Sequence, residues 1–128
     1  MKILFVCSAN VDRSPTAEYI YKDREELEVK SAGTARYART PVNEELLRWA
    51  DVILCMENRQ KRYIVEEFAG VVSHKTVDSL DIPDVYYYLH PSLVAVIKEK
   101  TDAWLRKYQS CKQCSVSVVR EGSLEKRV

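Results

Sequence analysis

The chain opens "MKILFVCSANVDRSPTAEYIY" (residues 1–21), and the reading of this stretch decides the fold. Residues 2–7, "KILFVC", form a short apolar run of β-forming residues, the pattern of a strand buried on both faces. "SANVDR" then breaks the run. Ser14 offers an N-cap, and Pro15 suits the first position of a helix. Ala17, Ile20, Tyr21 and Leu27 recur at helical spacing, predicting a helix of about 14 residues. Strand, polar loop and helix in that order are the start of a β-α-β chain path.

The same alternation continues outward. "EVKSAGT" (28–34) reads as a second strand stopped at Gly33, and Thr40-Pro41 opens a helix carrying Leu46, Leu47 and Ala50. "DVILCM" (51–56) is a third buried strand. "NRQKRYIVEEF" (58–68) is a helix with Gly70 as its stop, and "KTVDSL" (75–80) a weaker fourth strand. From Pro91, the residues Leu93, Val94, Ile97, Trp104, Leu105 and Tyr108 trace one helical stripe. This rhythm predicts one α/β domain with a parallel sheet and right-handed crossovers over 1–108. Residues 109–128 break it and read as a C-terminal tail, mobile or, at "SVSVV", an edge strand.

Composition narrows the function. A 128-residue chain, 46% hydrophobic and 30% charged, suits one core. A net charge of +1 gives no basic field for nucleic acid. No apolar run reaches the roughly 18 residues of a membrane helix, and "MKILFVC" is too short for a signal peptide. The expectation is a cytoplasmic protein with reduced thiols and neither membrane nor nucleic-acid partners.

The chemistry concentrates where the first strand ends. In open α/β sheets ligands bind beyond the carboxyl ends of strands, and Cys7 stands there. A helix N-terminus attracts anions and favours thiolate over thiol. Arg13 offers a planar fork that matches two phosphate oxygens. The residues between can curl so that backbone amides face a tetrahedral oxyanion, making Ser8, Ala9, Asn10, Val11, Asp12, Arg13 and Ser14 the candidate phosphate-binding set. Ser14 could donate its hydroxyl to the sulfur, a combination suited to phosphoryl transfer through a cysteinyl-phosphate. The bare spacing recurs at Cys114 and Arg120, but that copy has a β-branched loop and no helix start.

With these residues in view, "VCSANVDRSPTAE" resembles the phosphate-binding loop of the low-molecular-weight protein tyrosine phosphatases, Cys-x-Gly-Asn-x-Cys-Arg-Ser-Pro. "SAGT" (31–34) and "ADVILCM" (50–56) are similar to that family's second and third strands, and "IPDVYYY" (82–88) to its Asp-Pro-Tyr-Tyr acid loop. The matches fall in family order. The resemblance implies a flavodoxin-like four-stranded parallel sheet, order 2-1-3-4, with helices on both faces. It implies Cys7 as nucleophile, Arg13 as phosphate clamp, Ser14 as the thiolate-stabilising hydroxyl and Asn10 as a loop support. Asp84 becomes the general acid, with Asp81 as competitor, and Tyr86 and Tyr87 wall the substrate pocket. The substrate would be a phosphotyrosine protein or a small aryl phosphate, with no metal and no other cofactor.

Departures from the family pattern stand at Ala9 for Gly, Asp12 for the second cysteine and Val85 for Pro. Ala9 would constrain the loop if a positive φ were needed there. Asp12 would raise the thiolate pKa unless it points outward. Cys55 reads as core, and His74 and His90 lack metal-like neighbours. Two rival functions use the same loop. One is arsenate reduction with Cys111 and Cys114 as thiol relay; the other is phosphate binding without turnover.

Overall fold

A computed structural model describes residues 1–121, with side chains described through Ser110. The elements run β1 (Lys2–Cys7), α1 (Arg13–Tyr21), β2 (Glu28–Gly33), α2 (Glu44–Trp49), β3 (Val52–Cys55), α3 (Asn58–Glu67), α4 (Ala69–Val72), β4 (Thr76–Ser79) and α5 (Pro91–Glu121). Four parallel strands make one sheet in the order β2-β1-β3-β4, as the alternation and the resemblance led us to expect. Residues Met1–Lys98 pack as one compact unit, and a second begins at Glu99, within α5.

β1 is central, and its residues Ile3–Val6 are fully buried. Period-two alternation sends Leu4 and Val6 to one face, where they join Ile53, Cys55, Leu47 of α2, Ile64 of α3 and Val72 of α4. On the other face Phe5 stacks on Tyr21 of α1, ring centroids 5.9 Å apart. Helices therefore cover both faces, and all strands point their carboxyl ends the same way.

Three local expectations are corrected. α1 starts at Arg13, with Asp12 as N-cap, and ends at Tyr21, so it is nine residues long. Ser14 lies inside the helix because its hydroxyl is used elsewhere, while the Asp12 carbonyl accepts from the Thr16 amide (3.1 Å) and hydroxyl (2.7 Å). α2 starts at Glu44 rather than Thr40-Pro41, because the Asn43 side chain caps it by accepting from the Leu46 N–H at 2.8 Å. Pro41 instead bridges to Gly33. Gly70 does not end the helical region; it sits within α4.

Residues 109–121 continue α5, so "SVSVV" is helical rather than an edge strand. No proline or glycine interrupts the chain between Pro91 and Gly122, and nothing there breaks the helix. The remainder of the expected tail, 122–128, lies outside the described residues. Among the described residues no helix is long and apolar enough to cross a membrane.

Candidate active site

β1 delivers Cys7 to the carboxyl edge of the sheet, paired with Gly33 of β2. The loop after it is shaped by the segment that follows β2. Carbonyls of Cys7, Ser8 and Ala9 accept hydrogen bonds from the amides of Thr34, Ala35 and Arg39, each at 3.0 Å. Across a trans peptide the next N–H points the opposite way. Clipping these three carbonyls outward therefore turns the amides of Ser8, Ala9 and Asn10 inward. The Asn10 N–H reaches the Cys7 Sγ at 3.2 Å.

This close approach depends on Gly33. A Cβ there would overlap the Ser8 carbonyl oxygen and lie 2.8 Å from the Ala38 Cβ and 3.0 Å from the Asn10 nitrogen. From the other side Gln60, buried at the start of α3, donates to the Ser8 hydroxyl at 3.0 Å. The left-handed turn of the loop is at Asn10 (φ 59°), not at Ala9. Asparagine tolerates that conformation, so alanine at position 9 meets no such requirement.

Side chains complete the cradle. Ser14 Oγ lies 3.0 Å from Cys7 Sγ, receives the Asn10 Nδ2–H at 2.9 Å, and lies 3.3 Å from the Ala32 carbonyl. Asn10 also donates to Ser31 Oγ at 3.0 Å, and Ser31 donates to Glu18 at 2.6 Å. Val11 is 47% exposed at the tip. The Asp12 carboxylate makes no cap to α1, so it does not spend itself on the helix end.

Arg13 is 1% exposed, and such a charge stays buried only with partners. Its Nη1 donates to Glu57 Oε1 at 2.9 Å and to the Ile82 carbonyl at 2.8 Å, and its Nε lies 3.7 Å from Asp84 Oδ1. Glu57 also receives Nε and Nη2 of Arg59, at 3.1 and 3.0 Å. Burial works to raise the Glu57 pKa, but the hydrogen bonds and charges of Arg13 and Arg59 outweigh it and hold the carboxyl below its usual value.

The stretch carrying Asp84 is anchored at both ends to α1, at Ile82 by Arg13 and at Leu89 by Thr16, whose hydroxyl accepts the Leu89 amide at 2.9 Å, while Asp81 lies just before it. Asp84, 56% exposed at its side chain, faces Arg13. Asp81 is turned to Ser79, whose hydroxyl donates to it at 3.2 Å. Tyr86 and Tyr87 both meet the His90 ring, with centroids 5.9 and 4.6 Å away. His90 caps α5 by accepting the Ser92 amide on Nδ1 at 3.0 Å. Cys55 lies in the core, where burial pushes its thiol up to about 12, the environment of an inert cysteine. Side chains of Cys111, Cys114 and Arg120 lie outside the described residues. No cluster of metal-ligating side chains occurs among the described residues.

Sequence reading brought Cys7, Asn10, Arg13, Ser14 and Asp84 to one place, and the structure gathers them there. It missed Glu57, Gln60, Ser31 and Glu18. Glu57 does carry a signal, since it follows the third strand run at the sheet edge where ligands bind.

Residues 2–41 match the family model described as low molecular weight phosphotyrosine protein phosphatase. The chain is 30% identical over 95 residues to a protein-arginine-phosphatase of Bacillus subtilis (strain 168), an alignment covering 53% of this chain and 63% of that protein. It thus spans less than two thirds of that relative's length. Among solved structures, a low molecular weight protein tyrosine phosphatase from Streptococcus pyogenes superposes with a TM-score of 0.69 at 16% identity, covering 83% of this chain and 91% of that one. The YwlE arginine phosphatase from Geobacillus stearothermophilus gives 0.61 at 23% identity, covering 84% and 94%. The chain therefore matches the low molecular weight phosphotyrosine protein phosphatase model over residues 2–41 and shares the fold of these solved structures, with the sheet order and the cradle in place.

Proposed function

We propose that this protein is a cysteine-dependent phosphatase that hydrolyses phosphotyrosine or other aryl phosphates through a cysteinyl-phosphate. The observation that carries this reading is the surrounding of Cys7. Its sulfur has the Asn10 amide at 3.2 Å and the Ser14 hydroxyl at 3.0 Å, at the head of α1 and beside a cradle of inward amides.

In the first step the Cys7 thiolate attacks phosphorus, the S–P bond forms and the P–O bond to the aryl group breaks. Asp84 gives its proton to the leaving oxygen. Water then attacks phosphorus, Asp84 takes the proton, and the S–P bond breaks to release phosphate and thiolate. The amides of residues 8–10 and Arg13 stabilise the charge that grows on the phosphoryl oxygens. Support for Asp84 over Asp81 comes from its 3.7 Å approach to the Arg13 Nε and from the engagement of Asp81 by Ser79.

A second reading has its own support in the 30% identity to a protein-arginine-phosphatase, and would make the substrate a phosphoarginine protein with a P–N bond cleaved instead. Hydrolysis of para-nitrophenyl phosphate, a phosphotyrosine peptide and a phosphoarginine peptide separates the cases. Wild type should hydrolyse the aryl phosphates and Cys7→Ser should not; activity in Cys7→Ser overturns the mechanism. Asp84→Ala should lose about 10²–10⁴-fold on the peptide, and less on the better leaving group. An equal loss in Asp81→Ala instead moves the acid there, and turnover confined to phosphoarginine establishes the second reading.

A further inference from the structure

We infer that the mouth of the cradle is a docking surface for acidic protein segments, so that the preferred substrate is a phosphorylated residue flanked by aspartate or glutamate. This rests on the phosphatase reading and names the substrate context of the same site.

The surface is built from two elements on opposite sides of the loop. The segment "TARYART" (34–40) lies directly against it, since Ala35 and Arg39 donate their amides to the Ser8 and Ala9 carbonyls. That contact fixes the backbone of Arg36 and Arg39 at the rim, and both side chains are exposed. Between them Tyr37 is 81% exposed. On the α3 side, Arg59 is also exposed and is tied to the site through Glu57, whose Oε1 receives nitrogens of both Arg13 and Arg59.

The charges do not cancel evenly. Glu57 is shared by two guanidiniums, and Asp84 lies beside Arg13. Asp12 remains, half-buried at the foot of the loop. Arg36 and Arg39 have no ion-pair partner among the described residues. A chain with 20 basic and 19 acidic residues thus places unpaired positive charge beside its anion cradle, a local arrangement that net composition does not require. Arginine and tyrosine are also the residue types enriched at protein interfaces, where guanidinium forks take carboxylates bidentately. A cationic flank would be repelled by the same rim.

The test reads docking without turnover. Full-length Cys7→Ser protein is titrated with two phosphotyrosine peptides matched except for flanking Glu or Gln. Acidic flanks should tighten binding about tenfold at low salt, within the range electrostatic steering supplies, and the advantage should vanish near 1 M salt. Arg36→Glu/Arg39→Glu in the same background should abolish the preference, and Arg36→Gln/Arg39→Gln should reduce it, with thermal melts confirming that both variants fold. Equal affinities for the two peptides, a preference that survives charge reversal, or no binding of either at millimolar concentration each overturns the inference. Failure of the wild type to hydrolyse bound peptide overturns the catalytic reading alone.

Discussion

Asn10 takes a φ of 59° while its side-chain amide holds Ser14 and Ser31. Substitutions can separate the two roles. Asn10→Gly keeps the left-handed backbone and drops both bonds, whereas Asn10→Ala drops them and adds backbone strain. In urea denaturation Asn10→Ala should therefore be less stable than Asn10→Gly, by about 1 kcal/mol. Gly33→Ala should cost about 1–3 kcal/mol, since it meets backbone atoms of Ser8 and Asn10 and the short Ala38 side chain, none of which can swing aside, and should reduce oxyanion binding along with stability. Glu57 makes a prediction about pH. A carboxyl held below its ordinary pKa contributes stability that is present above that ordinary value and lost as pH falls through the folded one. The stability gap between wild type and Glu57→Gln should accordingly be wide at neutral pH and close in acid, measured by denaturation at pH 7 and pH 3.

At the scale of elements, α2 offers the cleanest check. Asn43→Ala removes the side chain that caps the start of that helix and should cost about 0.5–2 kcal/mol in denaturant. This element also shows where sequence patterns stop. Thr40-Pro41 carries a valid helix-start signal, yet Pro41 is held in a bridge to Gly33 and the cap belongs to Asn43. Ser14-Pro15 misled in the same way. A serine before proline is a good cap by type, but a sulfur 3.0 Å away claims this hydroxyl. Strand positions were legible because β1 and β3 are continuous apolar runs with one possible fate, full burial. Helix ends were not, because tertiary partners decide among several equally plausible caps.

For the whole molecule, the legible part of the site is the part carried by contiguous sequence. Cys7 to Ser14 lie on one strand, loop and helix, so residue types and order disclosed them. Arg13's partners Glu57, Ile82 and Asp84 come from distant segments brought together only when β3 and β4 line up beside β1. A buried arginine therefore ties the first βα unit to the last loops of the compact unit ending at Lys98. An oxyanion in the cradle should then stabilise the fold by mass action, about 2.7 kcal/mol at one hundred times its dissociation constant. Thermal melts in rising inorganic phosphate should show an upward shift that Arg13→Ala abolishes.

Ser14 Oγ has one hydrogen and three neighbours. Asn10 Nδ2 can only donate to it and the Ala32 carbonyl can only accept, so the state of Cys7 decides where that hydrogen goes. Beside a thiol, the sulfur's own proton can point at Ser14 while the hydroxyl turns to Ala32. Beside a thiolate, the hydroxyl swings to the sulfur. A change in the state of the Cys7 sulfur would thus be answered by the rotation of a single O–H bond, with no heavy atom required to move.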